Sequence, residues 1–478
     1  METKENIVAE EKQEYGNQLA TVTDEGKRKW VYPKKPSGKF YNARTILSFF
    51  LLSFLVLVPF IKINGHQFLL FDFLNRNFIL FGVPFGPHDF HLFGLAMISI
   101  IVFVILFTVV FGRIFCGWAC PQTVFMEMVF RKIEYWIEGD SKDQRKLDAS
   151  EWNGKKIFKK GIKNVIFYLI AFFISHIFLS YIISMDKVIE IVTQPPSAHF
   201  SGFIALIAFS LIFYWVFSYF REQACTIVCP YGRLQGVLLD QDSIVIAYDY
   251  KRGEPRGKLK KNEESLKGDC IDCGLCVDVC PTGIDIRNGI QLECVNCTAC
   301  IDACDGVMEK INKPKSLIKY ASLKGIETKA KFKFTPRMIL YTTILTILLG
   351  ILTYLLSTRT DYAVNILRTP GMLFQEQPNG QISNVYDLVI VNKTFNKTPV
   401  KLKLEKPVFG ELKLIGKDII LKSQEVIETK FLVLINKSNL NSMNTPIEVG
   451  VYDGNKLIKK VKTSFLGPKE EIDDDEED

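Results

Sequence analysis

The residues best able to do chemistry are cysteines in two runs, CIDCGLCVDVCP (270–281) and CVNCTACIDAC (294–304). Each run is spaced C-x2-C-x2-C-x3-C, the bacterial ferredoxin pattern for a [4Fe–4S] cluster. Thiolates two residues apart on a tight loop can face three irons of one cubane. The fourth, three residues on, reaches the cluster of the opposite run. The spacing therefore predicts a first cluster on Cys270, Cys273, Cys276 and Cys304, and a second on Cys294, Cys297, Cys300 and Cys280. A pair of zinc sites is the competing reading, because C-x2-C also binds zinc. Zinc does not need a third cysteine at the same step, and here that third cysteine occurs in both runs. The runs differ in one place: Pro281 follows the first and Asp305 the second. That changes the turn beside Cys304 without removing a ligand.

A second constellation also repeats. Cys116-Gly117-Trp118-Ala119-Cys120-Pro121 and Cys225-Thr226-Ile227-Val228-Cys229-Pro230 are both C-x3-C-P, each just past a long apolar run. On a helix, residues i and i+4 share a face, so each pair can offer two thiolates to one ion. The proline favours a break after the second cysteine. Together the four sulfurs could close a tetrahedral site, and soft thiolates select Cu(I), zinc or iron–sulfur. These four are the candidate copper-binding and redox thiols. The plainer reading is four buried, inert thiols. Spacing leaves open which metal binds, or whether a dithiol/disulfide pair operates instead. Among the five histidines, His88 and His91 stand three apart. They could bind a transition metal from one helix face, although ordinary interfacial histidines are the simpler expectation.

A membrane must position these thiols. Of the 478 residues, 48% are hydrophobic and the mean hydropathy is positive, which suits membrane helices joined to soluble parts. Runs at 44–62, 91–114, 164–184, 202–220 and 338–356 are apolar and long enough to span a bilayer. Five such runs weigh against buried core helices. Lys and Arg crowd the tail 1–43, the loop 115–163 and the segment 221–337, whereas 63–90 and 185–201 carry one each, Arg76 and Lys187. This bias predicts that the tail and the ferredoxin domain (about 260–312) lie in the cytoplasm. An odd number of spans then puts residues 358–478 outside. All twelve cysteines fall between 116 and 304, which fits thiols kept reduced on the inner side. No cleavable signal peptide is expected, and no basic-aromatic pattern points to nucleic acid.

Residues 361–467 alternate apolar and polar in about seven short stretches, among them VYDLVIVNKT, VIETKFLVLINK and KLIKKVKTSFLG. That argues for an immunoglobulin-like antiparallel β-sandwich. The tail 1–43 reads as polar and partly disordered, 63–90 as a loop, and 468–478 as a solvated acidic tail. The fold class is therefore a membrane protein with five transmembrane α-helices, a 2[4Fe–4S] ferredoxin-like domain and a C-terminal β-sandwich.

With these parts in order, the chain resembles the FixG/CcoG/RdxA family of polyferredoxins, which accompany assembly of cbb3-type cytochrome c oxidase. The resemblance covers nearly the whole chain. It rests on FDFLNRNFILFGVPFGPHDF (71–90), CGWACPQTVFMEMVFRKIEYWIEGD (116–140) and REQACTIVCPYGRLQGVLLDQDSIVIAYDYKRGEPRG (221–257). The cysteine motifs alone are shared with other membrane ferredoxins; RGEPRG and the β-domain favour this family. The resemblance implies membrane electron transfer, with reduction of Cu(II) to Cu(I) for the oxidase copper centre as its purpose. It also implies a bacterial inner membrane, with the β-domain in the periplasm. The expected partners are a cytoplasmic electron donor, membrane lipid, a copper transporter or chaperone, and cbb3 oxidase subunits, and a homodimer stays open. Two other functions compete. One is a general conduit to quinone or another redox partner. The other is a non-enzymatic, redox-sensing assembly factor.

Overall fold

The computed structural model describes residues 20–468 apart from 24, 74–75, 259–266, 330–332, 417 and 441. The chain forms two compact units, Met1–Lys62 with Gly94–Leu352, and Ile63–Phe93 with Thr353–Asp478.

Helices long and apolar enough to cross a membrane occupy Lys39–Phe60, Pro87–Phe111, Gly154–Ile183, Phe200–Phe220 and Pro336–Ser357, spans one to five. Large apolar side chains such as Phe49, Phe54, Phe173, Ile212 and Ile347 point outward from them, as lipid-facing helices require. Span three begins well before its apolar run. Its first turns carry Lys160 and Lys163, which the preceding segment neutralises: Lys160 reaches Asp148 at 2.6 Å and Glu138 at 3.1 Å, and Lys163 reaches Glu138 at 2.9 Å. Those carboxylates let the helix continue past the point where apolar periodicity ends.

Between spans four and five lies a cysteine-bearing core. A two-stranded antiparallel sheet pairs Val245–Tyr248 with Ile318–Ala321. Against it pack Ile286, Ile301, Met308 and Leu317, with Cys276 among them. The two cysteine loops have the same backbone. Asp272 and Asn296 are left-handed (both φ 54°), and so are Gly274 (φ 70°) and Thr298 (φ 67°). Asp, Asn and Gly tolerate that region; β-branched Thr298 does not, and is held there by its surroundings. Each loop runs into a helix, Leu275–Asp278 or Ala299–Lys310. Pro281 follows the short first helix closely. Asp305 lets the second continue, and its carboxylate accepts the Ser316 N–H at 2.7 Å.

The expected floppy tail needs correction from Ala20 onward; residues 1–19 lie outside the described residues. The segment from Ala20 to span one is a strap with fixed partners in the cysteine core. The Ala20 N–H donates to Glu293 at 2.9 Å, Lys34 N–H donates to the Asp278 carbonyl at 2.7 Å, and the N–H groups of Phe40 and Tyr41 donate to Asp302 at 3.2 and 2.8 Å. Asp302 thereby caps the amino end of span one, satisfying donors that a helix start leaves free.

In the second unit, 63–93 is more than a loop. Leu69–Asp72, Asn77–Leu80 and Val83–Phe85 form a three-stranded antiparallel sheet. The C-terminal part is a sandwich of two antiparallel sheets. One runs Glu411–Ile415, Val426–Asn436, Gln381–Asn392, Tyr362–Arg368, with Gln375–Glu376 also on the long central strand. The other runs Ile419–Leu421, Thr398–Lys406, Asn444–Asp453, Lys456–Leu466. Inward residues of both, including Tyr386, Leu388, Phe431, Val433, Val449 and Phe465, form one buried core. Seven strands follow the alternating stretches; Tyr362–Arg368 and Gln375–Glu376 are additional. Most of the acidic tail, 469–478, lies outside the described residues.

Candidate electron-transfer site

Two cavities sit in the cysteine core. Cys270, Cys273, Cys276 and Cys304 line one, together with Tyr248, Leu275 and Met308. Cys280, Cys294, Cys297 and Cys300 line the other, with Ile246, Pro281, Thr282 and Val295. Cys276 lines both, so the two cavities adjoin at that residue. In each cavity the fourth thiol comes from the other run, the arrangement that the C-x3-C step permits.

Among the described residues, no three of His, Cys, Asp or Glu converge as a ligand group for a single metal ion. The thiols instead ring a space, as a polynuclear cluster needs and tetrahedral zinc does not. Burial pushes the thiols of Cys276, Cys294 and Cys304 up to about 12. Alone they stay protonated at neutral pH, so bound metal must supply the charge that ionises them.

The C-x3-C-P segments match each other, but neither is a continuous helix. Cys116 lies in the helix Ile114–Trp118 and Cys120 precedes Pro121–Thr123; Cys225 lies in the π-helical turn Ala224–Val228 and Cys229 precedes Pro230–Leu238. Both second cysteines are extended, at φ −61°, ψ 125° and φ −64°, ψ 110°. Both close a wide turn, Cys120 N–H to Phe115 O and Cys229 N–H to Ala224 O, each 2.9 Å. The expectation that each pair shares one α-helical face therefore fails: the proline begins a new helix at its first position, where it has no N–H to lose. Burial pushes Cys116 and Cys225 up to about 12. The four thiols are neighbours without forming a ready-made single-ion site.

These segments sit directly on the second cysteine loop. Gly117 approaches so closely that an added Cβ would lie 2.5 Å from Val295 O and 2.6 Å from Asn296 O. Cys116 packs beside Val295 and Cys297. Cys225 lines a small cavity whose other wall, Pro281, Thr282 and Val295, also walls the Cys280 cavity. Two buried arginines fasten the contact, and sequence reasoning missed both. Arg44 donates to Gly117 O at 3.0 Å and to Cys297 O at 2.9 Å. Arg113 donates to Gly232 O and Leu292 O. Each ties one C-x3-C-P segment to one end of the second cysteine loop. The only sequence signal was a charge at the edge of an apolar run, which reads equally well as a topology marker.

A buried ionic cluster lies alongside. Arg131, 1% exposed, reaches Glu127 at 3.0 Å and Glu222 at 3.6 Å; Arg221 pairs with Glu134. Burial works to raise the Glu134 pKa, but Arg221, Lys163 and Arg131 outweigh it and hold that carboxyl below its ordinary value.

His88 and His91 are not gathered into a ligand group. His88 lines a cavity shared with Arg76 and Lys393, cationic neighbours that disfavour a metal ion. The adjacent carboxylate, Asp89, is already held by Arg359 at 2.9 Å and Lys393 at 2.6 Å.

Family comparisons agree with this architecture. Residues 220–323 match a "4Fe-4S dicluster domain", 93–140 a "4Fe-4S binding domain", and 352–468 an "IG-like fold at C-terminal of FixG". Protein RdxB of Cereibacter sphaeroides is 34% identical, covering 77% of this chain and 80% of that protein. RdxA of the same organism is 34% identical over 76% and 79%. Nitrogen fixation protein FixG of Rhizobium meliloti is 30% identical over 82% of each. Five apolar helices, cysteine loops of the iron–sulfur kind and an immunoglobulin-like C-terminal domain, with these relatives, show that the chain belongs to the RdxA/RdxB/FixG family of membrane iron–sulfur electron-transfer proteins.

Proposed function

We propose that this protein moves electrons singly from a soluble donor to the thiols of Cys116, Cys120, Cys225 and Cys229. There they reduce Cu(II) to Cu(I) for assembly of a cbb3-type cytochrome c oxidase. The supporting observation is the wall shared by the Cys225 and Cys280 cavities. When bound, each [4Fe–4S] cluster takes up and gives back one electron. The chain's residues hold the two cavities in contact through Cys276. They press Cys116 and Gly117 against the loop of Cys294 and Cys297. The copper step balances as one electron per ion: the donor loses it and Cu(II) gains it, while thiols that ligate the ion release their protons to solvent. Cu(I), the softer ion, suits thiolates and can be passed to a copper chaperone or transporter.

The excess of Lys and Arg around the cysteine core favours a cytoplasmic position for it, with the β-sandwich on the periplasmic side. A cytoplasmic donor, oxidase subunits and a homodimeric state belong to the same proposal.

The test uses anaerobically purified full-length protein, reduced and mixed with Cu(II), with Cu(I) trapped by a chromogenic chelator. Replacing Cys116, Cys120, Cys225 and Cys229 by Ser is expected to abolish copper binding and copper-driven reoxidation while iron content persists. Undiminished copper reduction in that variant rejects the site. Reoxidation by quinone alone would favour a general conduit, to which the iron–sulfur family match over 93–140 also lends support.

A further inference from the structure

The two cavities differ in access. Cys273 is exposed at the tip of its loop, beside exposed Asp272, while none of Cys280, Cys294, Cys297 and Cys300 is exposed. The strap packs beside the second cavity and not beside Cys273. Ala20 is held at Glu293, next to Cys294; Lys34 is held at Asp278, two residues before Cys280. Between them, the Val31 side chain lies 3.1 Å from where a Cβ on Gly283 would sit. The strap thus covers both chain segments that enter the second cavity. The membrane-edge thiols adjoin that cavity across Pro281, Thr282 and Val295, tied on by Arg44 and Arg113.

We infer that the cavities act in a fixed order: a soluble one-electron carrier delivers at the Cys273 face, and the strap-covered cavity serves only as the relay to the membrane-edge thiols. This rests on the reading that both cavities hold clusters. The carrier is oxidised by one electron and the chain reduced by one, with no bond made or broken. The strap is an insulating cover, so a donor meeting the protein from solution cannot bypass the first cavity. The order also gives a reason for the two cavities to adjoin at Cys276.

The test is electron paramagnetic resonance of the reduced full-length protein with and without a dysprosium–EDTA chelate, which speeds relaxation of centres near the surface. One of the two iron–sulfur signals should show a several-fold rise in half-saturation power. In Cys273→Ser, the responsive signal should be the one that shifts or disappears, and the remaining one should ignore the chelate. In a chain lacking residues 1–36, the second signal should become responsive. Equal response of both signals in the parent chain, or response confined to the signal untouched by Cys273→Ser, overturns the order. If the truncated chain fails to fold, the Cys273→Ser comparison still decides. No copper is present, so the result is independent of the copper reading. Absence of iron–sulfur signals altogether overturns the cluster reading and this inference with it.

Discussion

Replacing Gly117 by Ala isolates the contact between the membrane-edge thiols and the second cysteine loop. Gly117 lies in the helix Ile114–Trp118, and its φ is not in the left-handed region. At an ordinary helical site of this kind, Gly→Ala stabilises by about 0.5–1 kcal/mol, because it removes backbone freedom from the unfolded chain. Here the new methyl would sit 2.5 Å from Val295 O, 2.6 Å from Asn296 O and 2.7 Å from Asn296 C. All three are backbone atoms of a loop pinned by Arg44 and Arg113, so none can swing aside. Relief needs a displacement of roughly 0.5–1 Å between two segments, and overpacking of that kind costs about 1–3 kcal/mol. Net of the propensity gain, G117A should destabilise by about 0.5–2 kcal/mol. It should also slow reoxidation of the reduced protein by copper, because it moves Cys116 away from Val295 and Cys297. The assay is denaturant-induced loss of visible iron–sulfur absorbance in detergent, alongside anaerobic stopped-flow reoxidation. A stabilised variant with unchanged kinetics refutes the close approach and the path drawn through it.

Other expected outcomes can be measured in the same preparations. Arg44→Met leaves the Gly117 carbonyl without its donor and leaves Cys297 O with the Thr298 hydroxyl alone; at about 1–3 kcal/mol for one buried orphan, destabilisation should at least match that of G117A, as read by the same denaturant titration. Glu134→Ala removes the nearer carboxylate of buried Arg221, leaving only Glu222 at 3.9 Å, and should cost about 3–5 kcal/mol, whereas simultaneous apolar replacement of Glu134 and Arg221 should recover part of it. Because Glu134 has a lowered folded pKa, its contribution is complete above the ordinary carboxylate value, near pH 4.5, and fades as pH falls through the lower folded value. Stability measured downward from pH 6 should therefore drop at acid pH, with a shallower drop in Glu134→Gln. In the other unit, Asp89→Asn should loosen the hold on Arg359 and Lys393. Limited proteolysis should then cleave the β-sandwich unit faster, with the iron–sulfur signals unchanged.

What could be read from the chain beforehand was whatever recurs at short range. The C-x2-C-x2-C-x3-C step is local, and the cysteines it groups are those lining each cavity. The five apolar runs are likewise local, and so is the two-residue alternation of the sandwich strands. What escaped depends on partners far apart in sequence. Ala20 meets Glu293 across 273 positions and Arg44 meets Cys297 across 253, so the strap looked like a polar tail and Arg44 like the first residue of span one. Lys160 and Lys163 looked like orientation markers, yet they sit in span three because Glu138 and Asp148 neutralise them. The 63–90 segment looked like a loop because its strands are only three or four residues long. The C-x3-C-P pairs looked like shared helix faces; the proline instead starts a fresh helix, and periodicity cannot show which of two breaks a proline will make.

The whole account stands on two cubane clusters occupying the Cys270 and Cys280 cavities. Iron, acid-labile sulfide, zinc and protein counted in one anaerobically purified sample test this most directly, with spin quantitation after reduction. Iron and sulfide are expected in equal amounts, enough for two [4Fe–4S] clusters per chain, with negligible zinc and two spins per reduced chain. Zinc in place of iron, or iron and sulfide for only one cluster in undamaged protein, contradicts it.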